Sequence, residues 1–182
     1  KCVEIPEPAV QNNDELLITV RAAAIKNIDK AIAGGKHYSA KESMHDAAVI
    51  GSDGVGVLAS GTRVYALGVS GMIAEKAVIM KSRMIKLPDG IDDVTAAALP
   101  NAVAGSAMAL RFRAAVQPGE TVLINGATGF TGKIAVQIAK HYGAGKVIVT
   151  GRNEQSLQSL ITIGADEIIS VNQNDETFIA KL

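Results

Sequence analysis

Between Val122 and Asn153 the chain reads VLINGATGFTGKIAVQIAKHYGAGKVIVTGRN, and no other stretch restricts the fold as much. An apolar, β-branched run leads into Gly126, Gly129 and Gly132 at three-residue spacing. An apolar-periodic segment follows, then a second β-branched run. A strand, a glycine turn, a helix and another strand in that order open a parallel sheet with crossover helices. The pattern continues: strands are expected over 121–125, 146–150 and 167–171, and helices over 131–142 and 154–163. Asn172 is expected to cap one more helix, running to Leu182. Three strands are half of the roughly six in a doubly wound sheet. The sequence is therefore expected to be an incomplete copy of a longer protein.

The turn itself, Gly126-Ala127-Thr128-Gly129-Phe130-Thr131-Gly132, lies between a strand and a helix. That context turns a weak glycine motif into a dinucleotide-binding signal. Gly126 permits the sharp exit from the strand, Gly129 lets a pyrophosphate approach the backbone, and Gly132 lets the helix pack close. The helix N-terminus then offers free N–H donors to phosphate. The second strand ends in Thr150-Gly151-Arg152-Asn153, with no acid before Glu154. A site for NAD usually holds the ribose 2′-hydroxyl with Asp or Glu here. An arginine fork suits a 2′-phosphate instead, so the expected cofactor is NADPH. The plainer alternative is a structural turn followed by a surface arginine.

Residues 1–92 have a different texture. Residues 14–25 (DELLITVRAAAI) alternate as a strand does, and a short helical patch, KNIDKAIAG, follows. Apolar runs broken by Gly and Ser over 49–68 indicate short strands with tight turns, and MIAEKAVIMKSRMIKLP adds one or two more. A small barrel or sandwich is expected. The segment VTAAALPNAVAGSAMALRFRAAV is Ala-rich and reads as a helix interrupted at Pro100. The domain boundary is placed near residue 92. A hydrophobic fraction of 48% with only 3% aromatics describes a small-aliphatic core. Eighteen basic residues balance eighteen acidic ones, so nothing marks the chain for nucleic acid or an anionic membrane. No apolar run reaches the roughly 18 residues of a membrane span. The single cysteine, Cys2, provides neither an internal disulfide nor a thiolate-rich metal site, which points to a reducing, cytoplasmic compartment.

In their order along the chain, VRAAAIKNID, IGSDGVGV, GTRVYALG, KLPDGIDDVTAAALP, QPGETVLINGATGFTGKIAVQIAKHYGA, VIVTGRN and IGADEIISV make the sequence resemble the medium-chain dehydrogenase/reductase superfamily. The similarity is to its zinc-independent quinone oxidoreductase branch. The resemblance implies an α/β protein. A GroES-like β-rich catalytic domain, residues 1–92 with its first strand missing, would precede the N-terminal half of a doubly wound Rossmann domain, residues 93–182. It further implies NADPH-dependent reduction of a small-molecule quinone or α,β-unsaturated carbonyl, by homodimers of the full-length protein. The loop between GVGVLAS and GTRVYALG is shorter than the family's usual connection.

The resemblance also suggests catalytic residues. Asn27 stands at or one place from a family Asn, and Tyr38 matches a family Tyr after a glycine turn. Both would donate hydrogen bonds to a carbonyl oxygen as it gains charge, and Tyr38 or water would deliver the proton. Asn27 is equally suited to cap the short helix. Ser106 lies where relatives place a hydroxyl facing the nicotinamide, with Gly105 as the other match. Lys26 is a weaker candidate for the role of Asn27 and Tyr38, with a solvated surface charge as the plainer reading, and His141 is expected to be a surface residue. Zinc-dependent relatives carry a ligand cysteine in the segment that here holds Lys26 and Asn27. Catalytic zinc needs about three protein ligands, and His37, His45 and Asp53 are scattered candidates, so no metal is expected. Two other functions stay open: a non-catalytic NADPH-binding sensor, and a zinc-type alcohol dehydrogenase.

Overall fold

A computed structural model describes residues 4–38 and 48–172. Cys2, His45 and the helix expected after Asn172 lie outside the described residues. The chain divides into two compact units, Lys1–Leu99 and Pro100–Leu182.

The first unit is a closed antiparallel barrel of β1 (Glu15–Ala22), β2 (Asp53–Leu58), β3 (Arg63–Gly68) and β4 (Lys76–Lys86). β4 is one continuous strand. Its first half pairs with β1 (Ile18 opposite Ala77) and its second half with β3 (Tyr65 opposite Ile85), which closes the barrel. The core forms from inward residues of β1, β3 and β4 and one loop: Ile18, Val64, Ala66, Ala77, Ile79 and, from the loop, Met72, with Gly54 and Gly56 of β2 leaving room for Met72 and Ile18. Burying a side chain of the size of Ile79 contributes about 2 kcal/mol. The short helix α1 (Asn27–Ala33) follows β1.

α2 (Asp93–Met108) is not interrupted: it runs through Pro100 and widens into a π-helical turn over Ala109–Arg113. Proline removes one amide donor and crowds the preceding turn, but packing overrides that preference. Ala96 and Ala97 are anchored among Val55 and Leu87 on one side of the proline, and Ser106 and Leu110 are buried on the other. Near the start of α2, Arg63 donates to Asp93 Oδ1 at 2.7 and 2.9 Å and to the Ile91 carbonyl at 2.6 Å.

The second unit holds a three-stranded parallel sheet, ordered β5 (Thr121–Ile124), β6 (Lys146–Gly151), β7 (Glu167–Ser170). The crossovers are α3 (Phe130–His141) and α4 (Glu154–Ile161). Val136 and Ala139 of α3 and Leu157 and Leu160 of α4 pack with Val147 and Val149 of β6. β6 is buried along all but its first residue, as a strand between parallel neighbours requires. Among the described residues, no helix is long and apolar enough to cross a membrane.

Candidate functional site

Because β5 and β6 are parallel, the glycine turn after β5 and Arg152 after β6 lie at the same edge of the sheet. That is the edge where open α/β sheets bind ligands. The turn leans on the end of β6. Ala127 N donates to the Thr150 carbonyl at 2.9 Å and Gly126 N to Thr150 Oγ1 at 3.4 Å. The buried Thr150 hydroxyl donates to Asn125 Oδ1 at 2.6 Å. A Cβ on Gly151 would meet Thr128 Cγ2 at 2.8 Å, so a bare residue lets the turn rest there.

The three turn glycines meet different surroundings. Gly126 has φ +68°, the left-handed conformation that favours glycine. A Cβ on Gly132 would stand 2.6 Å from Ala127 Cα and 2.8 Å from Ala127 O, so α3 seats itself directly on the turn. A Cβ on Gly129 would meet only the Gly126 carbonyl, at 3.8 Å. Gly129 is also the N-cap of α3 and has no side chain to satisfy the first turn. The first amide of this turn with an internal acceptor is that of Lys133, bonded to Gly129 O at 2.9 Å. The N–H groups of Phe130, Thr131 and Gly132 find no acceptor among the described residues. Three orphan donors facing an open, side-chain-free cradle fit a phosphate group.

Other candidate residues have local duties. Asn153 caps α4, its Oδ1 accepting from Ser156 N at 2.8 Å. Arg152 is exposed, and its guanidinium makes no hydrogen bond or ion pair among the described residues; its carbonyl accepts from Asn172 Nδ2 at 2.5 Å. Phe130 is exposed at the helix start. Ser106 is buried, and its hydroxyl donates to the Thr131 carbonyl at 3.1 Å, tying α2 to the first turn of α3. Gly105 is exposed.

In the barrel unit, Asn27 and Tyr38 flank α1. Asn27 is its first residue, and Tyr38 follows the turn after its last, where Lys36 N and His37 N both donate back to the Ala31 carbonyl. Asn27 is exposed and is not the cap; Lys26 holds that position. Tyr38 is 82% exposed, its ring 4.3 Å from that of His37.

Lys26 is not a solvated surface charge. Its side chain is 13% exposed, and Nζ lies 2.6 Å from Asp53 Oδ1, on a carboxylate that is 1% exposed. Sequence alone places these residues in unrelated segments; strand pairing unites them. Tyr65 sits opposite Val55, two residues along from Asp53, so its hydroxyl reaches diagonally to Asp53 Oδ2. Ser52 Oγ donates to Asp53 Oδ1 at 2.9 Å. A second buried carboxylate, Asp29, accepts from Lys26 N at 2.7 Å and Ser52 N at 3.3 Å. Both Asp53 oxygens are thus engaged by protein donors. The described residues hold no group of three or more His, Cys, Asp or Glu placed to bind a metal ion. In the sequence these charges look like any scattered ones, and GSDG reads locally as a turn.

Burial raises the Tyr65 phenol well above its ordinary value, and the Asp53 hydrogen bond and charge raise it further. Folding therefore favours the protonated hydroxyl. Its contribution to stability is complete below about pH 10, the unfolded value, and is lost as pH rises toward the higher folded value. A difference titration of phenolate absorbance between wild type and Tyr65→Phe is expected to show no ionisation of Tyr65 near pH 10. A normal step there would contradict the buried hydrogen bond.

A four-stranded barrel followed by a glycine-turn parallel sheet is the architecture of medium-chain dehydrogenase/reductase proteins. The chain belongs to the medium-chain dehydrogenase/reductase superfamily, in its quinone oxidoreductase-like branch. Residues 131–182 match the zinc-binding dehydrogenase family. Quinone oxidoreductase of Sus scrofa is 30% identical over 99% of this chain and 55% of its own length. A probable NADPH-dependent quinone reductase of Emericella nidulans is 30% identical over 86% of this chain and 53% of its own. Among solved structures, the quinone oxidoreductase of Thermus thermophilus, also solved with NADPH, matches with a TM-score of 0.81 and 30% identity. That match covers 98% of this chain and 58% of that one. The chain thus spans about half the length of the curated relatives it matches.

Proposed function

We propose that this protein is an NADPH-dependent oxidoreductase that reduces a small quinone or α,β-unsaturated carbonyl without catalytic zinc. The observation that carries it is the cradle at Gly129: three amides on α3 with no acceptor among the described residues, open space where a Gly129 side chain would stand, and Arg152 at the same sheet edge. The amides of Phe130, Thr131 and Gly132 would hold the pyrophosphate, and Arg152 the 2′-phosphate. Phe130 and the Thr150–Asn153 segment would border the nucleotide, with Ser106 fixing the first turn of α3 through Thr131. NADPH, when bound, supplies hydride. Asn27 and Tyr38 remain candidate donors to the acceptor's carbonyl oxygen. The names and NADPH complexes of the relatives support the reductase reading. Zinc independence is supported by Lys26, whose ammonium would repel a cation in the segment where zinc-type relatives keep a ligand cysteine. We further take residues 1–92 as the catalytic domain and 93–182 as the cofactor domain of a cytoplasmic homodimer. The balanced charge favours a small-molecule partner over nucleic acid.

Titration with NADPH and NADH separately, followed by nicotinamide fluorescence, tests the cofactor. NADPH is expected to bind more tightly. Arg152→Ala is expected to cost NADPH about 1.5–3 kcal/mol, roughly ten- to hundredfold in affinity, and to leave NADH nearly unchanged. Equal affinities in the wild type would remove the role of Arg152; no binding of either would remove the dinucleotide site. NADPH bound but not consumed with a panel of quinones and enones would indicate a sensor instead.

A further inference from the structure

We propose that the Lys26 ammonium is an oxyanion-binding site, which takes the charged oxygen of a phenolate or enolate. An ammonium has three N–H donors. One meets Asp53 Oδ1 at 2.6 Å and a second the Ala24 carbonyl at 3.1 Å. The third has no acceptor among the described residues. The side chain is largely dry, at 13% exposed. A fixed charge in such a place acts far more strongly on a developing oxyanion than it would in water.

The surroundings hold this lysine rather than merely neutralise it. Its backbone N–H is bound by Asp29, and its Nζ by Asp53. Asp53 is itself fixed by Ser52 Oγ and the Tyr65 hydroxyl, and Asp29 by Ser52 N. A buried ion pair adds little stability over apolar residues of equal volume. What this one supplies is a positive group with a settled position and a donor that no described residue engages. Preorganisation of this kind distinguishes an oxyanion site from a surface lysine. The link to catalysis rests on the reductase function proposed above. Hydride addition to a quinone or enone leaves the negative charge on the carbonyl oxygen, and a proton from water then neutralises it. Lys26 would stabilise the charge before that proton arrives.

The test uses 4-nitrophenol as probe with the purified full-length protein and no cofactor. Wild type is expected to lower the pKa of bound 4-nitrophenol by about one unit, seen as phenolate absorbance at lower pH. Lys26→Met leaves Asp53 buried without its cation and is prone to misfold, so the double variant Lys26→Met/Asp53→Asn, which removes both charges, is measured beside it. A folded double variant with no shift supports the site. A shift that survives in it, or is absent from wild type, overturns the site. With NADPH and a quinone, kcat of the double variant is expected to fall roughly 100-fold, with NADPH affinity unchanged. Wild-type turnover in the double variant would reduce Lys26 to a counter-ion for Asp53 and overturn the proposal. A wild-type phenolate shift without NADPH consumption would keep the oxyanion site and remove only the reductase function.

Discussion

Asp53→Ala is expected to destabilise the barrel unit by about 3 kcal/mol or more. The carboxylate is 1% exposed and serves three donors: Lys26 Nζ, Ser52 Oγ and the Tyr65 hydroxyl. Alanine takes away all three acceptor contacts at once. It strands an ammonium that is only 13% exposed, and removing one partner of a buried pair is much costlier than never having built the pair. The unpaired hydroxyls add to the loss. Asp53→Asn keeps an acceptor oxygen and is expected to be milder. Urea unfolding at neutral pH, read from a barrel signal, gives the midpoint shift; an unchanged m-value would assign it to stability alone. A loss under about 1 kcal/mol would mean that Lys26 finds water when its partner goes, and that the cluster is wetter than its burial indicates.

This cluster also marks the limit of what the sequence reveals. The parallel-sheet unit is readable almost element by element, because local signals coincide there. The strand runs, the glycine spacing and the helical period each name the same element, and β5, α3, β6, α4 and β7 lie within a few residues of the expected spans. The turn and Arg152 share one sheet edge because β5 and β6 run parallel. Lys26 is different. Its environment is set by Asp53 and Tyr65, residues delivered by β2 and β3 through pairing that no local pattern encodes. A lysine ahead of a helix ordinarily faces water, so the local prior gives the wrong burial. Pro100 fails for the same reason in reverse. Its local signal to stop the helix is correct chemistry, but buried contacts on both sides of it outweigh one missing amide.

The glycines of the turn allow binding and folding to be separated within three residues. Gly132→Val and Gly129→Val introduce the same side chain in the same motif, with opposite expected results. At Gly132 the new Cβ would enter to 2.6 Å of Ala127 Cα and 2.9 Å of its carbonyl carbon. These are backbone atoms that no rotamer change can clear. α3 would have to lift from the turn, at a cost of about 3 kcal/mol. At Gly129 the backbone is extended, φ −72° and ψ 165°, which valine adopts readily, and the nearest atom is a carbonyl oxygen at 3.8 Å. Stability should change by less than about 1 kcal/mol, since only a weak N-cap is altered. The isopropyl group would instead fill the space above the Phe130, Thr131 and Gly132 amides. Loss of two charge-assisted bonds from those amides amounts to about 3 kcal/mol or more, roughly a hundredfold or greater fall in NADPH affinity. Urea midpoints and NADPH titrations on both variants decide the matter. If Gly129→Val unfolds the unit, the residue is structural and the open cradle is an illusion of its surroundings. If Gly129→Val folds and binds NADPH normally, the phosphates lie elsewhere, and α3 loses its role as the anion-binding helix.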